Sequence, residues 1–287
     1  MKRVGLVVHP SREIGRPLAT LEEWAEQHGI EVVQLRAQNS VREVAPFGEL
    51  RSCDLVVAIG GDGTVLAALR AAAETSTPVL GVACGSLGAL TAVQAQDLPE
   101  ALGRFEDGTW SRRMMHVLEV TADGEKAAWA INDLVLVRRS GGQLIVDVTV
   151  DDELYGRMAG DGVIVATGLG SSAYSMAAGG PILVEGTDAF VVTPLVIHGG
   201  SVPPVVVKGS STVTVDAHPG YGGFDVEVDG QILDLTGTRF VIRLTQAKAP
   251  LVSTGDPGLG ITALRRRGLI ADSPRVLARD QRAGPTP

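Results

Sequence analysis

The chain has 287 residues, of which 45% are hydrophobic, 20% charged and only 4% aromatic. This is a globular balance with material for one large domain or two smaller ones, and 36 glycines leave a core of Val, Leu, Ile and Ala joined by glycine turns. A formal net charge of −8 removes electrostatic support for a nucleic-acid partner, although a small polyanion needs only local donors.

The first segment, RVGLVVH, reads as a buried strand. Its apolar run, Val4 to Val8, stops at His9-Pro10 and is too short for the core of a signal peptide. PLATLEEWAEQHG reads as an amphipathic helix ended by Gly29. IEVVQLR and DLVVAIG follow as strands, TVLAALRAAAE as a helix, PVLGVAC as a strand and DLPEALGRFEDG as a helix. Such alternation predicts a parallel sheet covered on both faces, an α/β domain over residues 1–105. Cys53 and Cys84 have neither disulfide nor metal-ligand spacing and read as small core residues, which fits a reducing cytoplasm.

Beyond residue 110 the strands succeed one another: HVLEVTA, AAWAINDLVLVRR, LIVDVTVDDELYGRMAGDGVIVAT, FVVTPLVIH, PPVVVKG, STVTVDA, FDVEVDGQIL and RFVIRLTQ. Several alternate apolar with polar residues, which predicts an all-β, largely antiparallel C-terminal domain over 106–254. One helix, SSAYSMAAGGPIL, interrupts it, with Gly179-Gly180-Pro181 at its end. The alternation is lost at the end, so 255–272 is expected to return to the first domain and 273–287 to be a disordered tail. No stretch is long and apolar enough for a transmembrane helix.

The candidate site is the junction of the third strand and second helix, Gly60-Gly61-Asp62-Gly63-Thr64. Ligands of α/β sheets bind at the carboxyl ends of strands, where glycines admit a phosphate to backbone N–H groups and to the helix dipole. Gly60, Gly61 and Gly63 suit that role, with Thr64 as a cap for a helix starting at Val65. Asp62 does not suit a pure phosphate cradle, since its carboxylate repels the anion. It points either to Mg²⁺ handling or to a general base acting on a hydroxyl, and so to phosphoryl transfer. The plainer alternative is a tight Asp-Gly turn. The stretch matches neither a Walker A loop nor G-x-G-x-x-G.

GGDGT after a strand resembles the signature shared by the NAD kinases, the diacylglycerol and sphingosine kinases and the phosphofructokinases. Four further segments resemble the NAD kinase family in that family's order: AINDLVLVRR (130–139), DGVIVATGLGSSAYSMAAGGPI (161–182), VTPLVIHGGSVPPVVV and VEVDGQ (226–231). The resemblance implies an N-terminal Rossmann-like and a C-terminal β-sandwich domain with the nucleotide between them. It implies Mg²⁺-dependent phosphoryl transfer from ATP or polyphosphate to the 2′-hydroxyl of the adenosine ribose of NAD. It further implies that Asp62 is the base, that Asn132 and Asp133 bind the adenosine part, and that Tyr174, after Ser172 and Ala173, lies beside the adenine. Asp161 is implied to contact the nicotinamide end, often across a subunit boundary, in a homodimer or homotetramer. On residue type alone, Asn132 is equally a strand-edge Asn, Tyr174 a core aromatic, Asp161-Gly162 a turn and His198 structural.

The sequence departs from the family at the acceptor side. Leu169 stands where the family has a hydroxyl residue, Gly168 where it has proline, Ala89 where it has Phe, Cys84 or Ala83 where it has Asn, and Pro203 where it has Arg. These departures leave room for a related kinase acting on another nucleoside, nucleotide or metabolite, and for a non-catalytic nucleotide-binding protein, which has no need of Asp62.

Overall fold

The computed structural model describes residues 1–36, 42–73, 75–91, 93–184, 186–247, 249–253, 261–266 and 268–283. In chain order the first part comprises β1 (Arg3–Val8), α1 (Gly15–His28), β2 (Glu31–Gln34), β3 (Leu55–Gly60), α2 (Asp62–Ala72), β4 (Val79–Ala83), β5 (Val93–Gln94), α3 (Leu98–Glu106) and β6 (Ser111–Arg113). The second part comprises β7 (His116–Ala122), β8 (Glu125–Ala130), β9 (Asp133–Arg138), β10 (Leu144–Val150), β11 (Glu153–Gly160), β12 (Gly162–Ala166), the single-turn α4 (Tyr174–Ala177), β13 (Ala189–Leu195), β14 (Val205–Lys208), β15 (Thr212–Pro219), β16 (Phe224–Val228), β17 (Gln231–Leu233) and β18 (Arg239–Gln246). The chain closes with β19 (Leu251–Ser253), α5 (Ile261–Arg266) and α6 (Pro274–Ala283).

The first sheet has the order β2-β1-β3-β4-β19-β6, with β5 against the last two residues of β4. Strands β1 to β5 and β19 are parallel, and β6 runs antiparallel to β19. From β1 the chain moves outward to β2 and then back across to β3, so the carboxyl ends of β1 and β3 form a topological switch point, the usual ligand crevice of such sheets. Leu21, Trp24, Leu98 and Leu102 of α1 and α3 cover one face. Val65, Leu66 and Leu69 of α2 cover the other, and there they also meet Val117, Ile131 and Ala247 of the second part. Helix α2 is therefore packed between the two halves of the molecule.

The second part is a sandwich of two antiparallel sheets, β11-β10-β15-β18-β7-β8 and β14-β13-β12-β9-β16-β17. Alternate residues such as Leu134, Leu136, Val163, Val165, Phe190, Val213, Val215 and Phe240 fill the space between them. In β10 the alternating residues face outward, the period-two pattern the sequence carries, whereas Val135, Ile164, Ala166 and Leu195 of β9, β12 and β13 are buried on the sandwich's other face as well.

Several boundaries differ from the sequence reading. AAWAINDLVLVRR is not one strand: Ile131 and Asn132 break the run between β8 and β9. The first sheet takes in β6, beyond residue 105, and its returning strand is β19, before residue 255. Residue 254, residues 255–260 and 267 of the expected return, and 284–287 of the tail lie outside the described residues. The segment expected to be a disordered tail carries α6. Pro274 occupies its first turn and Arg, Leu, Ala and Gln, all good helix formers, follow. Among the described residues no helix is long and apolar enough to cross a membrane.

Candidate functional site

Helix α2 starts at Asp62, with Gly61 as its cap position, because the chain turns as soon as β3 ends. Thr64 is thus inside the first turn and is not the cap: its N–H, like that of Val65, bonds to the Gly61 carbonyl, at 2.9 and 3.2 Å. The glycines of the turn have different physical reasons. A Cβ on Gly60 would stand 2.2 Å from Thr64 Oγ1, one on Gly61 would stand 3.0 Å from the Arg12 guanidinium, and one on Gly63 would meet open space. Gly60 is required by packing, whereas Gly63 keeps the helix start bare. The N–H groups of Asp62 and Gly63 belong to the first turn, which has no acceptors within the helix.

The Asp62 carboxylate is half-buried and tethered. Oδ2 accepts the Ala89 N–H and Oδ1 the Leu90 N–H, each at 2.9 Å. A Cβ on Gly88 would lie 2.1 Å from Oδ1, so only glycine lets this loop close on the carboxylate. Arg113 Nη1 in turn donates to the Ala89 carbonyl at 3.0 Å. Each carboxylate oxygen keeps a lone pair for an incoming hydroxyl.

Two cavities open near this turn. One, of about 460 Å³, lies at the switch point and is lined by Arg12, Arg16, Cys84 and Gly85. There the Cys84 N–H bonds to the Gly60 carbonyl. Burial pushes the Cys84 thiol pKa up, which keeps it protonated. The other, of about 170 Å³, is lined by Ala89, Met114, His116, Leu169, Ser172 and Leu183 among others. It brings three of the departures from the family pattern, Ala89, Gly168 and Leu169, around one cavity.

Asn132 and Asp133 sit where β8 passes to β9. The N–H groups of Ile131, Asn132 and Asp133 all point at the Asp229 carboxylate, at 3.1, 2.6 and 3.1 Å. The Asn132 carbonyl accepts the Thr167 N–H at 2.9 Å, and Thr167 Oγ1 donates to Ile131 O at 2.6 Å. This ties the Asn-Asp turn to the segment that carries Leu169, Ser172, Ala173 and Tyr174. Gly170 is obligatory there, because a Cβ would lie 2.0 Å from Asn132 O. Asp133 is only 4% exposed, and its carboxyl makes no hydrogen bond within the described residues. Burial first, then the charges of Asp229 and Glu227, push its pKa up to about 7, against the opposing pull of Arg70.

The other expected residues lie further out. Ala173 and Tyr174 are exposed, Tyr174 at 44%, at the start of α4. Asp161 precedes β12 and pairs with Arg138 Nε at 2.5 Å. Gly162 registers with Val137, and Ala166 with Asp133, so Asp161 is one strand length, roughly 17 Å, from the Asn-Asp turn. His198 and Pro203 share that distant end, since Leu195 pairs with Gly162. Among the described residues no group of three or more His, Cys, Asp or Glu could hold a metal. A Mg²⁺ carried on donor phosphates needs no such group, so the site is compatible with it.

Sequence reasoning missed Arg70, Asp229, Thr167 and Gly88. Asp229 was present only as the first residue of the late DGQ segment, and Arg70 only as a helix residue eight positions after Asp62.

This fold and site define a class of two-domain proteins in which a Gly-Gly-Asp-Gly-Thr turn on a parallel sheet faces a β-sandwich. Residues 26–110 match the ATP-NAD kinase N-terminal domain and residues 131–253 the ATP-NAD kinase C-terminal domain. The NAD kinase of Koribacter versatilis is 34% identical over 244 residues, covering 81% of this chain and 85% of that protein. The NAD kinase of Desulforamulus reducens is 33% identical over 263 residues, covering 87% and 91%. Among solved structures, an Archaeoglobus fulgidus NAD kinase in complex with ATP superposes with a TM-score of 0.75 at 22% identity, covering 94% of this chain and 100% of that one. Yeast NADH kinase complexed with NADH gives 0.76 at 20%, covering 95% and 89%. The chain belongs to the NAD kinase family.

Proposed function

We propose that this kinase transfers the γ-phosphoryl group of ATP to the 2′-hydroxyl of the adenosine ribose of NAD, giving NADP and ADP. The observation that carries this reading is the Asp62 carboxylate, tethered by two backbone N–H groups beside a wall shared with Leu169 and Ser172. Asp62 takes the proton of the ribose hydroxyl. The ribose oxygen then bonds to the γ-phosphorus as the bond to the ADP oxygen breaks, and ADP leaves with that electron pair. The donor phosphates lie at the switch point, against the bare helix start at Gly61 and Gly63 and the Arg12 guanidinium. Mg²⁺ on those phosphates supplies charge neutralisation. Asn132 and Asp133 hold the adenosine, with Tyr174 at its edge. Asp161 serves the nicotinamide end of a neighbouring subunit's acceptor, in a homodimer or homotetramer, which gives a residue one strand length away a use.

A second reading is favoured by one observation: Ala89 and Leu169 line the same cavity. An apolar wall where the family offers a hydroxyl suits an acceptor that lacks the matching polar group. Purified protein with ATP, Mg²⁺ and either NAD, NADH or a panel of nucleosides, read by mass, separates the two. NADP as the only product supports the first reading. A phosphorylated nucleoside without NADP overturns it.

A further inference from the structure

Helix α2 carries Asp62 in its first turn and Arg70 in its last, eight residues or about 12 Å along the axis. Arg70 leaves the first part of the molecule and enters the second. Its Nη2 donates to Asp229 Oδ2 at 2.6 Å and to the Val228 carbonyl at 2.9 Å, and its Nη1 to Gln231 Oε1 at 3.1 Å. The Asp229 side chain is 1% exposed and that of Arg70 19%. Asp229 stands at the tip of the β16–β17 hairpin with φ of +48°, followed by Gly230 at +75°, the two left-handed residues of a tight hairpin turn. This turn points the carboxylate into the protein. Oδ1 takes the N–H groups of Asn132 and Asp133, and Oδ2 that of Ile131 beside Arg70. The Asp229 N–H closes the arrangement by donating to the Asp133 carbonyl at 3.0 Å.

We infer that Arg70 and Asp229 are positioning residues: a buried clamp through which helix α2 sets the acceptor-binding Asn132–Asp133 turn at a defined distance from Asp62. The inference rests on the proposed assignment of that turn to the acceptor. The geometry has the form of a ruler. One rigid helix holds the base at one end and, through one guanidinium and one carboxylate, the backbone of the acceptor turn at the other. Both groups have their hydrogen-bonding capacity directed inward, and Arg is suited to the task because its planar fork serves three acceptors at once. Lys at position 70 would keep the charge and lose the fork. Met would leave the Asp229 charge buried without its counter-ion.

The test uses Arg70→Lys and Arg70→Met in the full chain, with two readouts. The first is steady-state kinetics with NAD and ATP varied separately. In Arg70→Lys, KM for NAD is expected to rise about tenfold and KM for ATP to stay within about twofold, because a displacement of under an ångström at a positioned substrate costs one to two orders of magnitude. The second is amide hydrogen exchange, which needs no substrate. The amides of Ile131, Asn132 and Asp133 are expected to exchange at least about tenfold faster in Arg70→Met, while those inside β12 keep their protection. Adding Asp229→Asn to Arg70→Met is expected to restore part of that protection, since the lone buried charge is gone. Equal rises in both KM values, or unchanged exchange at 131–133 in a folded Arg70→Met protein, overturn the clamp. If the wild type leaves NAD unphosphorylated while exchange at 131–133 still accelerates, the clamp stands and the assignment of the acceptor falls.

Discussion

Asp62 and Asp133 are both carboxylates at turns beside a strand end, yet their surroundings are opposite. Asp62 is half-buried and has two backbone N–H partners. Asp133 is 4% exposed, its carboxyl has no hydrogen-bond partner within the described residues, and it sits near two further negative charges. The lesson is that partners, more than residue type, assign the role. A tethered carboxylate is oriented for accepting a proton. A buried and unpartnered one is held near neutrality and can give a hydrogen bond as well as take one.

The largest effect that would test this contrast is at Asp62. Asp62→Asn is expected to lower kcat about 10²–10⁴-fold, the usual worth of a general base, and to leave ATP binding in place. The amide would also turn an NH₂ toward either Ala89 N–H or Leu90 N–H, so local loosening of that loop is expected by hydrogen exchange. Wild-type-like turnover in this variant would exclude the base role. Gly88→Ala comes next. The added methyl overlaps Oδ1, so the carboxylate must leave its tether, and kcat is expected to fall about 10²-fold with little change in Tm. Full activity would mean that orientation by the 88–90 loop is dispensable.

The Asp133 side of the contrast is a matter of pH. Its folded-state pKa is about 7, above the unfolded value of roughly 3.9. Between these values the native protein holds a proton that the unfolded chain has released, so this group's contribution falls as pH rises from about 4 to about 7. The full loss is on the order of 2–4 kcal/mol. Asp133→Asn is expected to flatten the fall in Tm between pH 5 and pH 8 and to be the more stable form at pH 8. Thermal denaturation at the two pH values checks this, and parallel slopes for both proteins would refute the raised pKa. The smallest effect concerns the cavity wall. Leu169→Thr combined with Ala89→Phe is expected to raise kcat/KM for NAD about five- to tenfold, the worth of roughly one neutral hydrogen bond and some contact. No change would detach those two positions from acceptor choice.

Much of this was legible in the chain because it is local. Alternation of strand and helix before residue 110 and period-two strands after it follow from the burial pattern of each element taken alone. The Gly60–Thr64 turn declares itself because a carboxylate among glycines at a strand end has few plain reasons. The start of α2 was misplaced by three residues, since Thr64 resembles a cap and only the sharp turn at Gly61 decides otherwise. Likewise the interruption of AAWAINDLVLVRR is not marked by its apolar run: Ile131 is as apolar as its neighbours, and what parts the strands there is the Asp229 carboxylate drawing the N–H groups of Ile131 and Asn132 away from the ladder.

The amino-acid sequence by itself determined the two-part architecture, the Gly60–Thr64 turn at a strand end and the family, since each depends on short patterns and their order along the chain. Only the tertiary structure decided which of the candidate residues meet. It brought Ala89 and Leu169 to one cavity, set Asp161 a strand length away from the Asn132–Asp133 turn, and brought Arg70 and Asp229, separated by 159 residues in the chain, to 2.6 Å. The physical reason is that charge pairing and register act between segments distant in sequence. No local pattern encodes which guanidinium a buried carboxylate finds.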